Sequence, residues 1–208
     1  MTVLVAVVSS LGAVTLSAFL TDFLRDRRVR NRTKSLVVAC LDSVYTQMPE
    51  IEAYYRSLSR SVWVSETLPG IINISKNLSP IDLSLFDKVR ENLLMLSVEL
   101  ANAMVSFELY IRRINRETKG WIEILSPDYT AERPFHRDML PEYLNRNSKV
   151  FQKEVELIET LTALAVNLKG QMFRGQKKIT VDWEPVIKKS QETLDAAAEV
   201  MSPSPTNT

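Results

Sequence analysis

The chain has 208 residues, of which 45% are hydrophobic and 25% charged, a composition typical of a globular protein rather than a disordered or fibrous one. Lysine and arginine number 26 and aspartate and glutamate 25. The chain therefore lacks the basic excess typical of nucleic-acid-binding proteins, and we expect no nucleic acid among its partners. One cysteine, Cys40, and one histidine, His136, exclude an intrachain disulfide, a cysteine zinc cluster and most histidine-rich metal sites.

The N-terminal segment, residues 2–20, is nineteen residues long and carries no charge. As a helix it would extend about 28 Å at ~1.5 Å per residue, close to the ~30 Å hydrocarbon core of a bilayer. A cleaved signal peptide and a buried core helix are the alternatives. A signal peptide has positive charge before its apolar run and a small-residue cleavage site after it, and a core helix is shorter and has a polar face. We therefore predict that residues 1–24 form a single transmembrane anchor.

Six basic residues follow the predicted anchor, and we name the stretch 25–34 that holds them the basic collar: Arg25, Arg27, Arg28, Arg30, Arg32 and Lys34. Because basic residues resist translocation, the N-terminus is predicted to lie outside and the rest of the chain in the cytoplasm. The collar is also predicted to contact anionic lipid headgroups, which attract basic residues by about 1 kcal/mol each. A row of small residues within the span, Ser9, Ala13 and Ser17, would allow two such helices to approach closely.

Residues 35–201 are predicted to form a cytoplasmic helical bundle. Four segments carry apolar residues at alternating steps of three and four, which places one apolar stripe on each helix, and such stripes bury best against one another. A long coiled coil joining two chains is the rival arrangement. The stripes run from Val37 to Leu58, from Phe86 to Ile114, from Phe151 to Met172 and, in a shorter fourth helix, from Ile187 through Leu194 to Met201.

Proline and glycine mark the predicted bends and ends of these helices. Pro49 predicts a kink in the first helix, Gly120 is predicted to close the second, and the third is predicted to begin near Pro141. Residues 126–141 are predicted to form a long surface loop, and residues 202–208 a disordered tail.

Three short runs interrupt the helical pattern with β-branched and aromatic residues: Val62–Val64, Trp121–Leu125 and Ile179–Val181. Two of them are candidates for a small β-ribbon at one end of the bundle. The predicted fold class is therefore all-α, with an N-terminal transmembrane helix followed by a bundle of three long helices and a shorter C-terminal one, to which a minor β-ribbon is a candidate addition.

The polar residues form no recognisable catalytic or metal-binding pattern. Glu154, Glu156 and Glu159 are predicted to lie on a solvated helix face, since a dinuclear metal site in a bundle needs two Glu-x-x-His pairs. His136 has no partner within its loop, and Cys40 is predicted to pack in or near the core. Common hydrolase and nucleotide-binding motifs do not occur in the sequence. We therefore expect no enzymatic activity, no cofactor and no metal.

Trp63, Trp121 and Trp183 stand near predicted helix ends. They are predicted to cap the core, and a partner surface is the alternative, because tryptophan is enriched in binding hot spots. The predicted function is that of a membrane-anchored scaffold, adapter or accessory subunit of a membrane-associated complex, with the bilayer, anionic headgroups and a protein or a second copy as partners. A membrane-tethered enzyme with an unrecognised site and a homo-oligomeric structural membrane protein are the alternatives.

Overall fold

The computed structural model describes residues 2–60, 62–126, 134–174 and 179–201, and within them the side chains from residue 21 onward except at residues 94 and 134–137. In this part of the chain every regular element is helical, which confirms the predicted all-α class. The helices are α1 (Thr2–Ser59), α2 (Leu68–Asn77), α3 (Ser84–Arg90), a 3₁₀ turn (Leu93–Met95), α4 (Val98–Ile124), α5 (Pro134–Arg146), α6 (Ser148–Phe173) and α7 (Glu184–Met201).

No helix within the described part of the chain is both long enough and apolar enough to cross a membrane. The side chains of the predicted span, residues 2–20, lie outside that part, although their backbone belongs to α1. The predicted tail at residues 202–208 also lies outside it. The transmembrane anchor therefore stays a prediction.

Helix α1 runs without a break from Thr2 to Ser59, and Pro49 lies inside it without ending it. From Val37 to Leu58, one face of α1 is buried at the steps of three and four that the sequence predicts. This stripe includes two adjacent tyrosines that pack edge to face and form part of the aromatic core. Burial of the stripe against the other helices holds the helix together across the proline, which by itself costs about 3 kcal/mol in a helix interior.

The bundle is built on antiparallel pairs of long helices. Ion pairs from Lys169 to Asp42 and from Arg56 to Glu159 show that α6 runs antiparallel to α1. Helix α7 in turn runs antiparallel to α6, because Lys149 at the start of α6 pairs with Glu199 near the end of α7. Helix α4 also packs against the core, and near the C-terminal ends of α1 and α4 aromatic rings from α1, α4 and α6 contact one another: Tyr55, Trp121 and Phe151.

The second predicted helix is divided in the structure. Helix α3 ends at Arg90, a 3₁₀ turn follows, and α4 begins at Val98. Ser97 caps the new start, since its hydroxyl accepts a hydrogen bond from the amide of Leu100 at 3.3 Å. Serine at this position competes well with a continuing helix because it satisfies an amide that would otherwise be unpaired. The apolar periodicity continues across the break, which is why the sequence predicts one helix.

Gly120 does not close the second helix, contrary to the prediction. Helix α4 passes through Gly120 and ends at Ile124, so the predicted strand at Trp121–Leu125 is mainly the last turn of this helix. Trp121 and Ile124 pack against the core from this turn. Their burial exceeds the roughly 1 kcal/mol that glycine costs in a helix interior, and the helix therefore continues.

Pro141 also lies inside a helix rather than at its start. Helix α5 already begins at Pro134, so the predicted loop at 126–141 is helical from that residue, and residues 127–133 lie outside the described part. The boundary between α5 and α6 falls at Asn147, whose side-chain amide donates to the carbonyl of Tyr143 at 2.8 Å. That hydrogen bond satisfies a backbone carbonyl in the last turn of α5, as a helix cap does.

Helix α7 confirms the predicted fourth helix but not its buried face. Its buried residues are Val186, Thr193 and Ala196, whereas the predicted stripe points outward, with exposed fractions of 56% at Ile187, 53% at Leu194 and 82% at Met201. Lysine and glutamate side chains of α6 and α7 form a network beside the smaller residues. Packing against α6 therefore selects the face with small residues and ion pairs.

The other two predicted strands are extended connectors, and no strand occurs among the residues that the structure describes. Each connector pairs both backbone groups of one residue with the side-chain amide of a residue on a neighbouring helix. Asn145 pairs with Trp63 in this way at 2.7 and 3.0 Å, and Gln171 pairs with Thr180 at 2.9 and 2.7 Å. These amides satisfy the backbone as a neighbouring strand would, and the predicted β-ribbon is therefore wrong.

The connector between α2 and α3 is also held by a side-chain amide, and a substitution there tests how much such a pairing contributes to stability. Asn115 Oδ1 accepts from the amide of Ile81 at 2.9 Å, and its Nδ2 donates to the carbonyl of Ile81 at 2.8 Å. We expect Asn115→Ala to lower the free energy of unfolding by about 1–3 kcal/mol, because it leaves two groups of a buried residue unpaired. Urea denaturation measures the change. Asn77→Ala, which removes one exposed local bond, should change it by less than about 0.5 kcal/mol.

Candidate functional site

The basic collar occupies the part of α1 that precedes the bundle. All six of its basic side chains are exposed, and the first buried residue along α1 within the described side chains is Thr33. The hydroxyl of Thr33 donates to the carbonyl of Val29 one turn earlier, which satisfies it inside the helix. The collar therefore forms a helical stalk that presents positive charge around its circumference.

The collar cations take no part in the ion pairs found among the described side chains. Several cations of the bundle behave differently. Lys153 and Lys189 share Glu156 and Glu192 in a four-member network with contacts of 2.6 to 3.1 Å, and hydrogen bonds to these carboxylates raise the pKa of both lysines. The collar thus keeps its charge available for an external anion.

A groove opens where the collar meets the bundle, and we name it the junction groove. It has a volume of about 440 Å³ and lies between α1 and the C-terminal end of α3. It brings the collar residue Arg32 close to Lys88, a cation that the sequence does not single out, with Glu91 also at its wall. Nothing in the local sequence of α3 indicates this meeting, because it depends on how α3 packs against α1. The groove is lined by Val29, Arg32, Thr33, Leu36, Lys88, Glu91 and Asn92.

Two glutamates are buried inside the bundle, and each is held by arginine. Glu108 accepts hydrogen bonds from Arg90 and, at 2.7 Å, from Arg112. Glu154 Oε1 accepts from Arg113 Nη2 at 3.1 Å, while its Oε2 is buried without a hydrogen-bond partner. The prediction that Glu154 lies on a solvated face is therefore wrong, since only 3% of the residue is exposed.

Burial changes the acidity of Glu154. Loss of solvation raises the pKa of its carboxyl to about 7, against the opposing effect of the Arg113 charge, and Glu117 adds to the rise. Arg113 also donates to the hydroxyl of Ser190 on α7. One guanidinium therefore ties α4, α6 and α7 together around a carboxyl that changes its charge near neutral pH. The signal in the sequence is helical spacing, because Glu154 lies one turn from Phe151 and one turn from Ile158, both on the buried stripe.

The remaining candidates are placed as follows. Cys40 is buried, which confirms the predicted core packing, and burial raises the pKa of its thiol to about 12. The side chain of His136 lies outside the described part of the chain. Among the side chains that the structure describes, no three histidine, cysteine, aspartate or glutamate residues are grouped as metal ligands would be.

The three tryptophans all contact the core. Trp63 is buried, and its indole N–H donates to the carbonyl of Leu58 at 3.0 Å. Trp121 and Trp183 are partly buried against the core, where Trp183 stacks on Tyr110. This placement favours the core interpretation over the partner surface, which stays a prediction.

Comparison with known proteins adds no relative to this picture. No protein-family model, no curated protein and no solved structure matches the chain.

Proposed function

We propose that the chain is a single-pass membrane protein whose cytoplasmic helical bundle acts by binding, as a scaffold, adapter or accessory subunit of a membrane-associated complex. The observation that carries this proposal is the basic collar: six exposed cations outside the ion pairs of the described side chains, on a helix that continues from the apolar segment into the bundle. Such a collar is typical of the cytoplasmic side of a membrane span, where it holds orientation and attracts anionic headgroups.

The interior of the bundle supports a binding role rather than chemistry. The buried carboxylates Glu108 and Glu154 are engaged with arginines from other turns and helices, and Cys40 is buried with a raised pKa. A nucleophilic cysteine needs a lowered pKa and access to substrate. These groups hold the helices together, which leaves the surface of the bundle for partners.

Protease protection of sealed membranes tests the anchor and its orientation. We expect protease to digest the bulk of the full-length chain in inside-out vesicles and to spare it in right-side-out vesicles. The chain should also stay with the membranes after an alkaline wash, which removes peripheral proteins. A chain that begins at residue 35 is the control, and it should remain in the supernatant. Digestion only in right-side-out vesicles, or release of the full-length chain by the wash, would contradict the proposal.

A second experiment tests whether the collar determines the orientation of the chain in the membrane. Replacing its six basic residues by glutamine is expected to give a mixture of orientations, because the charge difference across the span is then lost. The same protease assay would show a protected fraction in both kinds of vesicle. A single unchanged orientation would mean that the collar does not determine topology.

A further inference from the structure

We propose that the junction groove binds the terminal phosphate of an anionic lipid headgroup, an inference that rests on the membrane anchoring proposed above. The groove has room for such a group, with a volume of about 440 Å³. Its two cations come from different helices, Arg32 from α1 and Lys88 from α3. Because Arg32 belongs to the collar that follows the predicted anchor, the nearest source of phosphate is a lipid of the same membrane.

The charges of the groove are free to act on a ligand. Arg32 and Lys88 are exposed, and neither forms an ion pair among the described residues, whereas the neighbouring Arg90 is held by Glu108. Two cations that converge without a carboxylate bonded to either attract a phosphate. Glu91 also lines the groove, and its negative charge opposes an anion there. The groove thus contains residues with opposite expected effects on the same ligand.

The position of the groove along α1 selects the kind of headgroup. Arg32 follows Leu20, the last residue of the uncharged segment, by about 18 Å along the helix axis at ~1.5 Å per residue. The headgroup layer extends roughly 5–8 Å beyond the hydrocarbon core on each side. Arg25, Arg27 and Arg28 would therefore meet the ordinary phosphodiesters. The groove lies farther out, where a phosphate carried at the outer end of a headgroup would reach it.

The test compares two lipids that differ only in that outer phosphate. The full-length chain is reconstituted in phosphatidylcholine nanodiscs that contain equal amounts of phosphatidylinositol and phosphatidylinositol monophosphate, and the lipids retained on the protein are counted by native mass spectrometry. We expect the phosphorylated lipid to be retained preferentially. Lys88→Gln should lower the preference about fivefold, the equivalent of about 1 kcal/mol for one basic residue, and Arg32→Gln should do the same. Glu91→Gln should raise it.

Lys119→Gln is the matched control. Lys119 is exposed and outside the described ion pairs, but it follows Thr118, which contacts Tyr55 in the part of the bundle far from the collar. This substitution should leave the preference unchanged. Equal retention of the two lipids would overturn the proposal, as would an equal loss in Lys119→Gln, which would indicate general attraction by positive charge. Complete displacement by free inositol phosphate at the same total concentration as the lipid would overturn the assignment to a lipid, because a lipid held in the same membrane should have a much higher effective concentration at the groove.

The experiments distinguish failure of the proposed membrane anchoring from failure of the proposed lipid site. If an alkaline wash released the chain from vesicles, the anchoring and the lipid site would both be wrong. If the chain stayed inserted but retained the two lipids equally, the anchoring would stand and only the groove would lose its proposed ligand.

Discussion

Arg113→Met is expected to lower the free energy of unfolding by about 3–5 kcal/mol at about pH 9. At that pH Glu154 is ionised, since its pKa is about 7, and the substitution removes the arginine that bonds to it within the described part of the chain. A buried carboxylate without a partner must either remain charged in a poorly solvated site or take up a proton against the pH. The hydrogen bond from Arg113 to Ser190 on α7 is lost as well. Urea denaturation followed by circular dichroism measures the effect.

The same substitution should cost less at about pH 5, where Glu154 is protonated and only hydrogen bonds of about 1–2 kcal/mol are lost. Arg116→Met is the matched control on the same helix. Arg116 is largely exposed, and its ion pair among the described residues is with Glu117 at 3.5 Å, so we expect a change below about 1 kcal/mol at both pH values. A cost for Arg113→Met that did not vary with pH would show that its pairing with Glu154 contributes little.

Glu154→Gln is expected to remove a loss of stability that the native protein undergoes between about pH 4.5 and pH 7. The pKa of Glu154 is raised from 4.5 in the unfolded chain to about 7 in the fold, so the folded state binds this proton more tightly. Its contribution is complete below pH 4.5 and disappears as the pH rises through about 7. The difference amounts to roughly 3 kcal/mol at ~1.4 kcal/mol per unit of pKa. The groups that face this carboxyl are Arg113 and Glu117 on α4 and Tyr55 on α1.

The measurement is the difference in unfolding free energy between the native protein and Glu154→Gln across this pH range. A difference is needed because Glu156 and Glu192, whose pKa values are lowered by hydrogen bonds to lysines, change stability in the opposite direction. Glu159→Gln is the control on the same helix, since Glu159 is half exposed in its pair with Arg56. A constant difference for Glu154→Gln would contradict a raised pKa in the fold.

Much of the helical architecture could be predicted from periodicity. The stripe from Val37 to Leu58 in α1 is buried as predicted, and so is most of the stripe in α6. Local breaks were harder to predict, because Gly120 and Pro141 disfavour a helix by amounts that tertiary burial exceeds. The opposite happened at Ser97, where a good cap began a new helix within a stretch that the apolar pattern would have made continuous.

The candidate site likewise has a part that the sequence predicts and a part that it does not. The basic collar can be identified from the sequence because its six cations lie close together on one helix. The junction groove cannot be identified from the sequence, because Lys88 comes close to Arg32 only through the packing of α3 on α1. The solvated position predicted for Glu154 is wrong for a related reason, because the arginine that holds this buried carboxyl, Arg113, lies 41 residues away along the chain.

By itself the sequence determined the class of the fold, the long amphipathic helices and the charged stretch that follows the apolar segment, since each depends on residues within a few turns of one another. Tertiary structure alone decided which face of α7 is buried, how the connectors are held and which ionisable groups lie inside. Those outcomes depend on pairs such as Asn115 with Ile81 and Arg113 with Glu154, whose members are distant in the chain and meet only after the helices have packed.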